Sequence, residues 1–524
     1  MEERDKKERV SALEPNVISI GIILAVLAAV ICMQLIGNVG VTPNTSLIGA
    51  IFAMILARVP LSSLKNYKSM ERQNMLQTIV SGAGFAAANC GFIAVGILWG
   101  LEKTEYILPM TIGCILGTTI SIVIVGKLFD SPLFPAQGAW PPGVATASAI
   151  QAGDEGGKKG RRLIEGIVVG VIGSYFKLPV AGIGIVFIAN IFSMAGLGIG
   201  LVLRGYSRQI FSIFGMVDFN LGATKIPQGI MIGAGIVALL QSLAIIFKSR
   251  KKDEELAATT TVSSVESKKT LVAGFGSLIV ASVVTAVITG IFSGMGGGEM
   301  ALWVFWCAFS SLVGMLLVGM AAMHSGWFPA FAISTIFMTV AILLGFQPLA
   351  IAVMTGFIGS VGPCFADMGY DLKTGWILRG KGEDVEYEKY GRRQQIIIEA
   401  IGGVIGILVV LLFSKALMSQ NVIPPISKVF AATITAGTDP AIMKEMLMWA
   451  LPGAFIQFIF GKKMVGVLFA TGLLLNSPIY GIGVLIAVTV RLIFGSEFME
   501  VRDAGLIAAD GLFGFITNLI KVFF

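Results

Sequence analysis

The sequence predicts an all-helical, polytopic membrane protein with about 14–17 membrane-crossing helices, broken or re-entrant segments and two pseudo-repeat halves. Of its 524 residues, 55% are hydrophobic and only 13% are charged, whereas a soluble domain has about 25% charged residues. The mean hydropathy is +0.86. Apolar runs of the ~20 residues that a spanning helix needs recur along the chain, including Asn16–Gly37, Ile107–Phe129, Ile226–Phe247, Leu271–Phe292, Glu299–Met323 and Gln395–Phe413.

Changes in composition divide the chain into four parts. Residues 1–15 form a charged N-terminal tail, and residues 249–270 form a polar linker rich in serine, threonine and lysine. Between and after them lie a first membrane half, residues 16–248, and a second, residues 271–524. Because cytoplasmic loops carry an excess of lysine and arginine, the tail and the linker are expected on the cytoplasmic side of a multi-pass protein of the cell membrane.

Several classes of function are excluded by what the sequence lacks. The net charge of +7 comes from basic residues in loops, so we expect no nucleic-acid partner. The five cysteines lie in or beside apolar runs without a CxxC pair, which predicts free thiols, no metal site and no cofactor. The chain carries neither a zinc-protease motif nor a phosphate-binding loop. We therefore expect no enzyme and no catalytic residues.

A faint internal repeat links two segments that each follow a glycine-rich stretch and a basic loop. "GRRLIEGIVVGVIG" begins at Gly160 and "GRRQQIIIEAIGGVIG" begins at Gly391. Each places a glutamate, Glu165 or Glu399, near the start of an apolar run. Repeated halves are the usual build of secondary transporters, which bind substrate where the repeats meet.

The segment Phe134–Ile150, "FPAQGAWPPGVATASAI", predicts a broken element. Its prolines prevent a continuous helix, and a short helix is expected from about Gly143. We expect a re-entrant element over 134–151 that faces a central cavity opposite Asp367 and offers its N-terminal amides to an anion; an ordinary packing loop is the alternative. The candidate substrate-binding residues are Pro135, Gly138, Gly143, Thr146, Ser148, Gln151, Asn89 and Tyr370.

A second polar motif, "CFADMGYDLKTGW", follows an uncharged run at Cys364–Trp376. In a helix Asp367, Tyr370, Asp371 and Thr374 share one face, and charged residues at the edge of a span face a cavity or a partner. Two carboxylates four residues apart repel each other, which favours protonation of one. The alternative is a solvated helix end. The candidate proton-coupling residues are Asp367, Asp371, Glu165, Glu399 and Glu299.

Three stretches resemble motifs of the oligopeptide transporter family, in a prokaryotic-type member. They are "LFPAQGAWPPGVATASAI" (Leu133–Ile150), "DMGYDLKTGWILRG" (Asp367–Gly380) with the downstream "RRQQ", and "DAGLIAADGLFG" (Asp503–Gly514). The chain departs from the family in the inserted "QGAWPP" and in Asp510, where the family often has glutamate. The insertion lies in a loop expected to contribute to the substrate site.

The resemblance implies a proton-coupled secondary active transporter that imports oligopeptides across the cytoplasmic membrane. The alternative is an importer of metal–chelator complexes, siderophore- or nicotianamine-like, as in the yellow-stripe branch. A channel or a membrane-embedded enzyme is a more distant alternative. The expected partners are the small-molecule substrate, protons and membrane lipid, and assembly as a homo-oligomer stays open.

Overall fold

The computed structural model describes residues 8–39, 42, 45–58, 66–155, 157–216, 219–248, 260–326, 328, 330–437, 440–499 and 501–523. Within these residues the regular structure is helical and no strand forms, so the predicted fold class is confirmed. Residues 1–7 of the predicted tail and 249–259 of the predicted linker lie outside the described residues.

The first membrane half contains eleven α-helices among the described residues. They are α1 (Pro15–Val39), α2 (Thr45–Arg58), α3 (Met70–Phe85), α4 (Ile93–Gly100), α5 (Ile107–Leu128), α6 (Pro141–Glu155), α7 (Gly157–Tyr175), α8 (Val180–Ile188), α9 (Ile191–Gly205), α10 (Ser207–Ser212) and α11 (Ile226–Lys248). A π-helical segment, Ala86–Phe92, joins α3 to α4 without a break.

The second half contains ten α-helices in the part of the chain that the structure describes. They are α12 (Ser264–Thr289), α13 (Gly297–Ser325), α14 (Ala330–Leu343), α15 (Pro348–Leu378), α16 (Val385–Ser419), α17 (Pro425–Ala436), α18 (Pro440–Phe460), α19 (Val465–Leu474), α20 (Pro478–Phe494) and α21 (Arg502–Phe523). Helix α12 begins inside the predicted linker because Ser263 and Glu266 cap each other's backbone amides, a reciprocal arrangement that fixes a helix start.

Among the described residues, seven helices are long and apolar enough to cross a membrane. They are Pro15–Gly37, Met70–Gly100, Thr104–Leu128, Ser264–Thr289, Gly297–Met323, Pro348–Leu378 and Val385–Ser419. Shorter apolar helices accompany them, including Ile191–Gly205 and Pro478–Phe494. Large apolar side chains are exposed on several helices, for example Leu451 and Phe458 on α18, as lipid-facing surfaces require. The chain is a polytopic membrane protein; the count of 14–17 crossings stays a prediction.

Two of the long helices lie in the interior, and one of them, Pro348–Leu378, carries the polar motif Cys364–Trp376. The most apolar stretch of Met70–Gly100 is fully buried inside the protein, and that of Pro348–Leu378 is 89% buried. Close approach of α3 to α16 depends on glycine: a Cβ added at Gly406 would lie 2.2 Å from the Ala83 carbonyl oxygen, and one at Gly82 would lie 2.6 Å from Glu399 Cγ. Small residues permit such crossings in membrane proteins.

The N-terminal tail and the end of the linker pack on one end of this bundle. Glu14 pairs with Arg72 at the start of α3 at 2.8 Å, and the Tyr387 hydroxyl donates to the Glu8 carbonyl oxygen at 3.1 Å. On the linker side, the Thr261 amide and hydroxyl donate to Asp130 Oδ2 at 3.0 and 2.7 Å. The tail, the linker end and the start of α16 therefore share one face of the protein.

Candidate functional site

Three buried carboxylates meet at the centre of the fold. Asp367 and Asp371 lie one turn apart on α15, and Glu399 reaches them from α16. One oxygen of each carboxylate lies within 4.8 Å of the others, and the three residues are at most 2% exposed. Tyr370, on the same turn of α15, is buried too, and its hydroxyl has no hydrogen-bond partner. The structure therefore brings together three of the five predicted proton-coupling residues.

Hydroxyl groups from two neighbouring helices hydrogen-bond the two aspartates. Ser81 on α3 donates to both oxygens of Asp367, at 3.0 and 3.1 Å. Ser46 on α2 donates to Asp371 Oδ1 at 2.6 Å. The two serine oxygens lie 2.9 Å apart, and Thr45 lies 3.1 Å from Ser81. These contacts fix the orientation of both carboxylates.

Several oxygen atoms of the carboxylate cluster lack hydrogen-bond partners. Asp371 Oδ2 and both oxygens of Glu399 are buried without a hydrogen-bond partner. Among the described residues, no lysine, arginine or histidine forms a salt bridge with any of the three carboxylates. Buried carboxylates that lack both hydrogen bonds and counter-charges cannot all be ionised, because the cost of desolvation and repulsion is too large. Protonation of at least one of the three would relieve this cost.

A separate ion network lies beyond the cluster, where α15 ends and α16 begins. Arg379 pairs with Glu388 at 2.7 Å and donates to Gln395 Oε1 at 2.9 Å. Gln395 in turn donates from Nε2 to the carbonyl oxygen of Asp371 at 2.7 Å. A neutral amide therefore separates the arginine from the carboxylate cluster while linking the two networks.

Lys373 anchors the proline-rich loop that precedes α6. Its Nζ donates to the carbonyl oxygens of Ala136 at 2.6 Å and Gly138 at 3.0 Å, and it lies 4.5 Å from the centre of the Trp376 ring. Lys373 is only 5% exposed. The alternative of a solvated helix end does not hold here, because the lysine is buried and donates to backbone carbonyls of the loop before α6.

The start of α6 packs against α15. The Thr374 hydroxyl donates to the Gly143 carbonyl oxygen at 3.1 Å, and a Cβ at Gly143 would lie 2.4 Å from the Tyr370 carbonyl oxygen. Pro135 accepts from the Gly138 amide at 2.9 Å within the preceding loop. The expected placement across a cavity from Asp367 is wrong, since the loop packs directly on the helix that carries Asp367.

The body of α6 borders a cavity of about 400 Å³. Ser148 and Gln151, predicted to share a side of this helix, both line it. Thr146 does not, since it is buried and its hydroxyl donates to the Pro142 carbonyl oxygen at 2.9 Å. The remaining lining residues are Val144, Ala145, Ala152, Lys159, Phe187, Ser496, Glu497, Val501 and Asp503. The cavity thus meets the side of α6, whereas we expected its N-terminal amides to face the ligand.

The other predicted residues lie apart from the carboxylate cluster. Glu165 is paired with Arg161 at 3.1 Å and with Arg502 at 2.8 Å, and the hydrogen bonds from Arg502 lower the pKa of Glu165. Glu299 lies half-buried in the first turn of α13. Asn89 lies in the π-helical segment and accepts a hydrogen bond from the Thr42 hydroxyl at 3.2 Å.

Sequence reasoning missed the residues that connect these elements. Ser46 and Ser81 occur in runs of small residues, where a serine is indistinguishable from a helix-packing residue. For Lys373, the Cys364–Trp376 motif gives no sign of a contact with the distant proline-rich loop. Gln395 ends the RRQQ motif, and a glutamine that follows basic residues near the start of an apolar run is a signal for a hydrogen-bonding group in the membrane.

Comparison with known proteins relates the first membrane half to a family. Residues 15–247 match the family model described as OPT oligopeptide transporter protein. No curated protein matches the chain. The match covers the first membrane half, including the proline-rich loop and α6, and it confirms the resemblance drawn from the motifs. By this match, the first membrane half is similar to the oligopeptide transporter family, and the all-helical polytopic fold agrees with that similarity.

Proposed function

We propose that this protein is a proton-coupled secondary active transporter that imports oligopeptides across the cytoplasmic membrane. The observation that carries the proposal is the buried cluster of Asp367, Asp371 and Glu399 in a chain whose first half matches a transporter family. Intramembrane carboxylates without counter-charges are costly, and they mark ion or proton pathways. No nucleotide-binding motif occurs in the sequence, so the energy is expected from an ion gradient.

Proton binding at this cluster would change the charge between three packed helices. With one proton gained or lost, the repulsion between α15 and α16 changes while the glycine-mediated contact of α3 with α16 stays short. A carboxylate that must be protonated in one conformation and ionised in another links proton binding to the conformational equilibrium. This linkage is the thermodynamic requirement for coupled transport.

The substrate-binding site is proposed to be the cavity beside α6. Its lining carries one cationic side chain, Lys159, and two carboxylates, Glu497 and Asp503. A peptide is a zwitterion, with a carboxylate at one end and an ammonium group at the other, so it complements both kinds of charge. Ser148 and Gln151 add a hydroxyl and an amide that match peptide groups. The volume of about 400 Å³ lies within the range of small-molecule sites.

The cytoplasmic side is assigned to the face that carries the N-terminal tail. The tail, the linker end and the 379–393 segment pack together there through Arg72, Tyr387 and Asp130. Lysine and arginine are concentrated in these same segments. One shared basic face agrees with the positive-inside rule for a protein of the cell membrane.

Reconstituted proteoliposomes test the coupling. Labelled tetra- and pentapeptides should accumulate under an imposed inward proton gradient, and Asp367→Asn or Asp371→Asn should abolish accumulation while substrate exchange without a gradient persists. Ser311→Ala, which alters a buried serine of α13 whose hydroxyl has no partner, is the control. Accumulation by both asparagine variants at the wild-type level would remove the carboxylate cluster from the mechanism.

Labelling and binding test the substrate site. Ser148→Cys should react with a hydrophilic thiol reagent, and bound peptide should slow the reaction. The five native cysteines are all buried, which keeps the background low. Direct binding of the peptide pool is then compared with binding of ferric–chelator complexes. Saturation by the chelates alone would replace the peptide with a chelate as substrate.

A further inference from the structure

Two serine hydroxyls form an uninterrupted connection between the aspartates of α15. The path runs from Asp371 to Ser46 over 2.6 Å, from Ser46 to Ser81 over 2.9 Å, and from Ser81 to Asp367 over 3.0 Å. Each gap is within the range of an O–H···O hydrogen bond. We propose that Ser46 and Ser81 form a proton relay between Asp371 and Asp367. This inference rests on the proposed proton coupling and adds the route that the proton takes.

The number of hydrogen atoms available along the path supports the relay. Three gaps between oxygen atoms must be filled, and each serine has one hydroxyl hydrogen to donate. Two hydrogens fill two gaps, so the third hydrogen bond requires a proton on one of the aspartates. Thr45 Oγ1 lies 3.1 Å from Ser81 Oγ, outside the path. The connection between Asp371 and Asp367 is therefore complete only when the pair holds one proton, and it is complete with the proton at either end.

Transfer along the relay conserves atoms and charge. When Asp371 is protonated, its O–H bond breaks as the proton passes to Ser46, which passes its own hydrogen to Ser81. Ser81 passes its hydrogen to the carboxylate of Asp367, where the last O–H bond forms. Both serines end as neutral hydroxyls, and one proton has moved by one helical turn, about 6 Å along α15. No oxidant, reductant or base is consumed.

The surroundings keep the proton within this pair and its carboxylate neighbour. Among the described residues, the other titratable side chains that interact electrostatically with these aspartates are Glu399 on α16, Cys32 on α1, and Cys364 and Tyr370 on α15. The cationic Arg379 is separated from Asp371 by the amide of Gln395. A path through hydroxyls therefore exists toward Asp367, whereas toward Arg379 the connection ends in an amide and a backbone carbonyl.

Infrared spectroscopy of the purified protein tests the relay without reference to substrate. The carbonyl stretch of the protonated carboxyl group is followed through a pH titration and assigned by its loss in Asp367→Asn and Asp371→Asn. Ser46→Ala and Ser81→Ala should each shift this band, because the protonated carboxyl group loses either its hydroxyl partner or the next hydrogen bond of the relay. Ser46→Thr and Ser81→Thr should restore the position, and Ser311→Ala should leave it unchanged. Alanine spectra that superimpose on the wild-type spectrum would overturn the relay.

Proton-driven accumulation of labelled peptide in proteoliposomes gives the second measurement. Ser46→Ala and Ser81→Ala should lower proton-driven accumulation of labelled tetrapeptide at least ~10-fold, while peptide exchange without a gradient persists and the threonine variants recover. If the wild type and both alanine variants accumulate peptide to the same level, the relay is wrong and the proposed function stands. If wild type accumulates neither peptide nor ferric chelate under a proton gradient, the proposed function fails, and the relay as a transport route fails with it.

Discussion

Lys373→Met is expected to release the proline-rich loop from α15. The substitution keeps an unbranched side chain of similar length but removes the donor to the carbonyl oxygens of Ala136 and Gly138. Ala136 is fully buried, whereas Gly138 is partly exposed and can accept from water. One buried carbonyl left without a donor costs about 1–3 kcal/mol. The Gly138 contact adds less, so the total is about 2 kcal/mol.

Hydrogen exchange of the 129–140 segment measures this release directly. The amides of Asp130 and Gly138 donate within the loop at 2.8 and 2.9 Å, so they exchange when the loop opens. A cost of about 2 kcal/mol corresponds to about 30-fold faster exchange. The control is Lys127→Met, which alters an exposed lysine in the last turn of α5. Exchange in Lys373→Met at the wild-type rate would show that the lysine does not hold the loop.

Two further outcomes follow from packing and charge. In a thermal melt of the detergent-solubilised protein, Gly406→Ala should be destabilising by about 1–3 kcal/mol, because its Cβ would lie 2.2 Å from the Ala83 carbonyl oxygen. The control is Gly276→Ala, whose Cβ would have no atom within 4 Å. This variant should be neutral or stabilising. Glu165→Gln should leave the shape of the uptake–pH profile unchanged. Hydrogen bonds from Arg502 lower the pKa of Glu165, so its charge is lost only as the pH falls through that lowered pKa. This change lies below the assayed range of about pH 5–8. A shifted uptake–pH profile would contradict this reasoning.

The fold class was predictable because hydropathy and length alone determine it. Apolar runs, glycine-rich stretches and proline breaks each have a direct structural consequence in lipid, and α6 begins at Pro141, two residues from the predicted start. The one-face arrangement of Asp367 and Asp371 followed from helical periodicity within a single segment. Local spacing of this kind is legible in a sequence.

Contacts between distant segments were not predictable in the same way. The repeat suggested equivalent roles for Glu165 and Glu399, yet one is paired with arginine near the surface and the other is buried without a partner. The difference arises from which helices pack against each glutamate, α21 or α3. Ser46 and Ser81 approach the aspartates only because α2 and α3 cross α15. The spacing of the two serines in the sequence does not indicate this crossing.

Helix α6 gives a physical connection between the carboxylate cluster and the cavity. Its first turn is hydrogen-bonded to α15 through Thr374, one turn from Asp371. Its middle carries Ser148 and Gln151 into the cavity, and its last turns pack against α2, where a Cβ at Gly153 would contact Met54. Because α2 also carries Ser46, two of the three helices that carry the relay, α2 and α15, contact α6 as well. A change in proton occupancy that moves α15 relative to α2 must therefore move or strain the helix that lines the cavity.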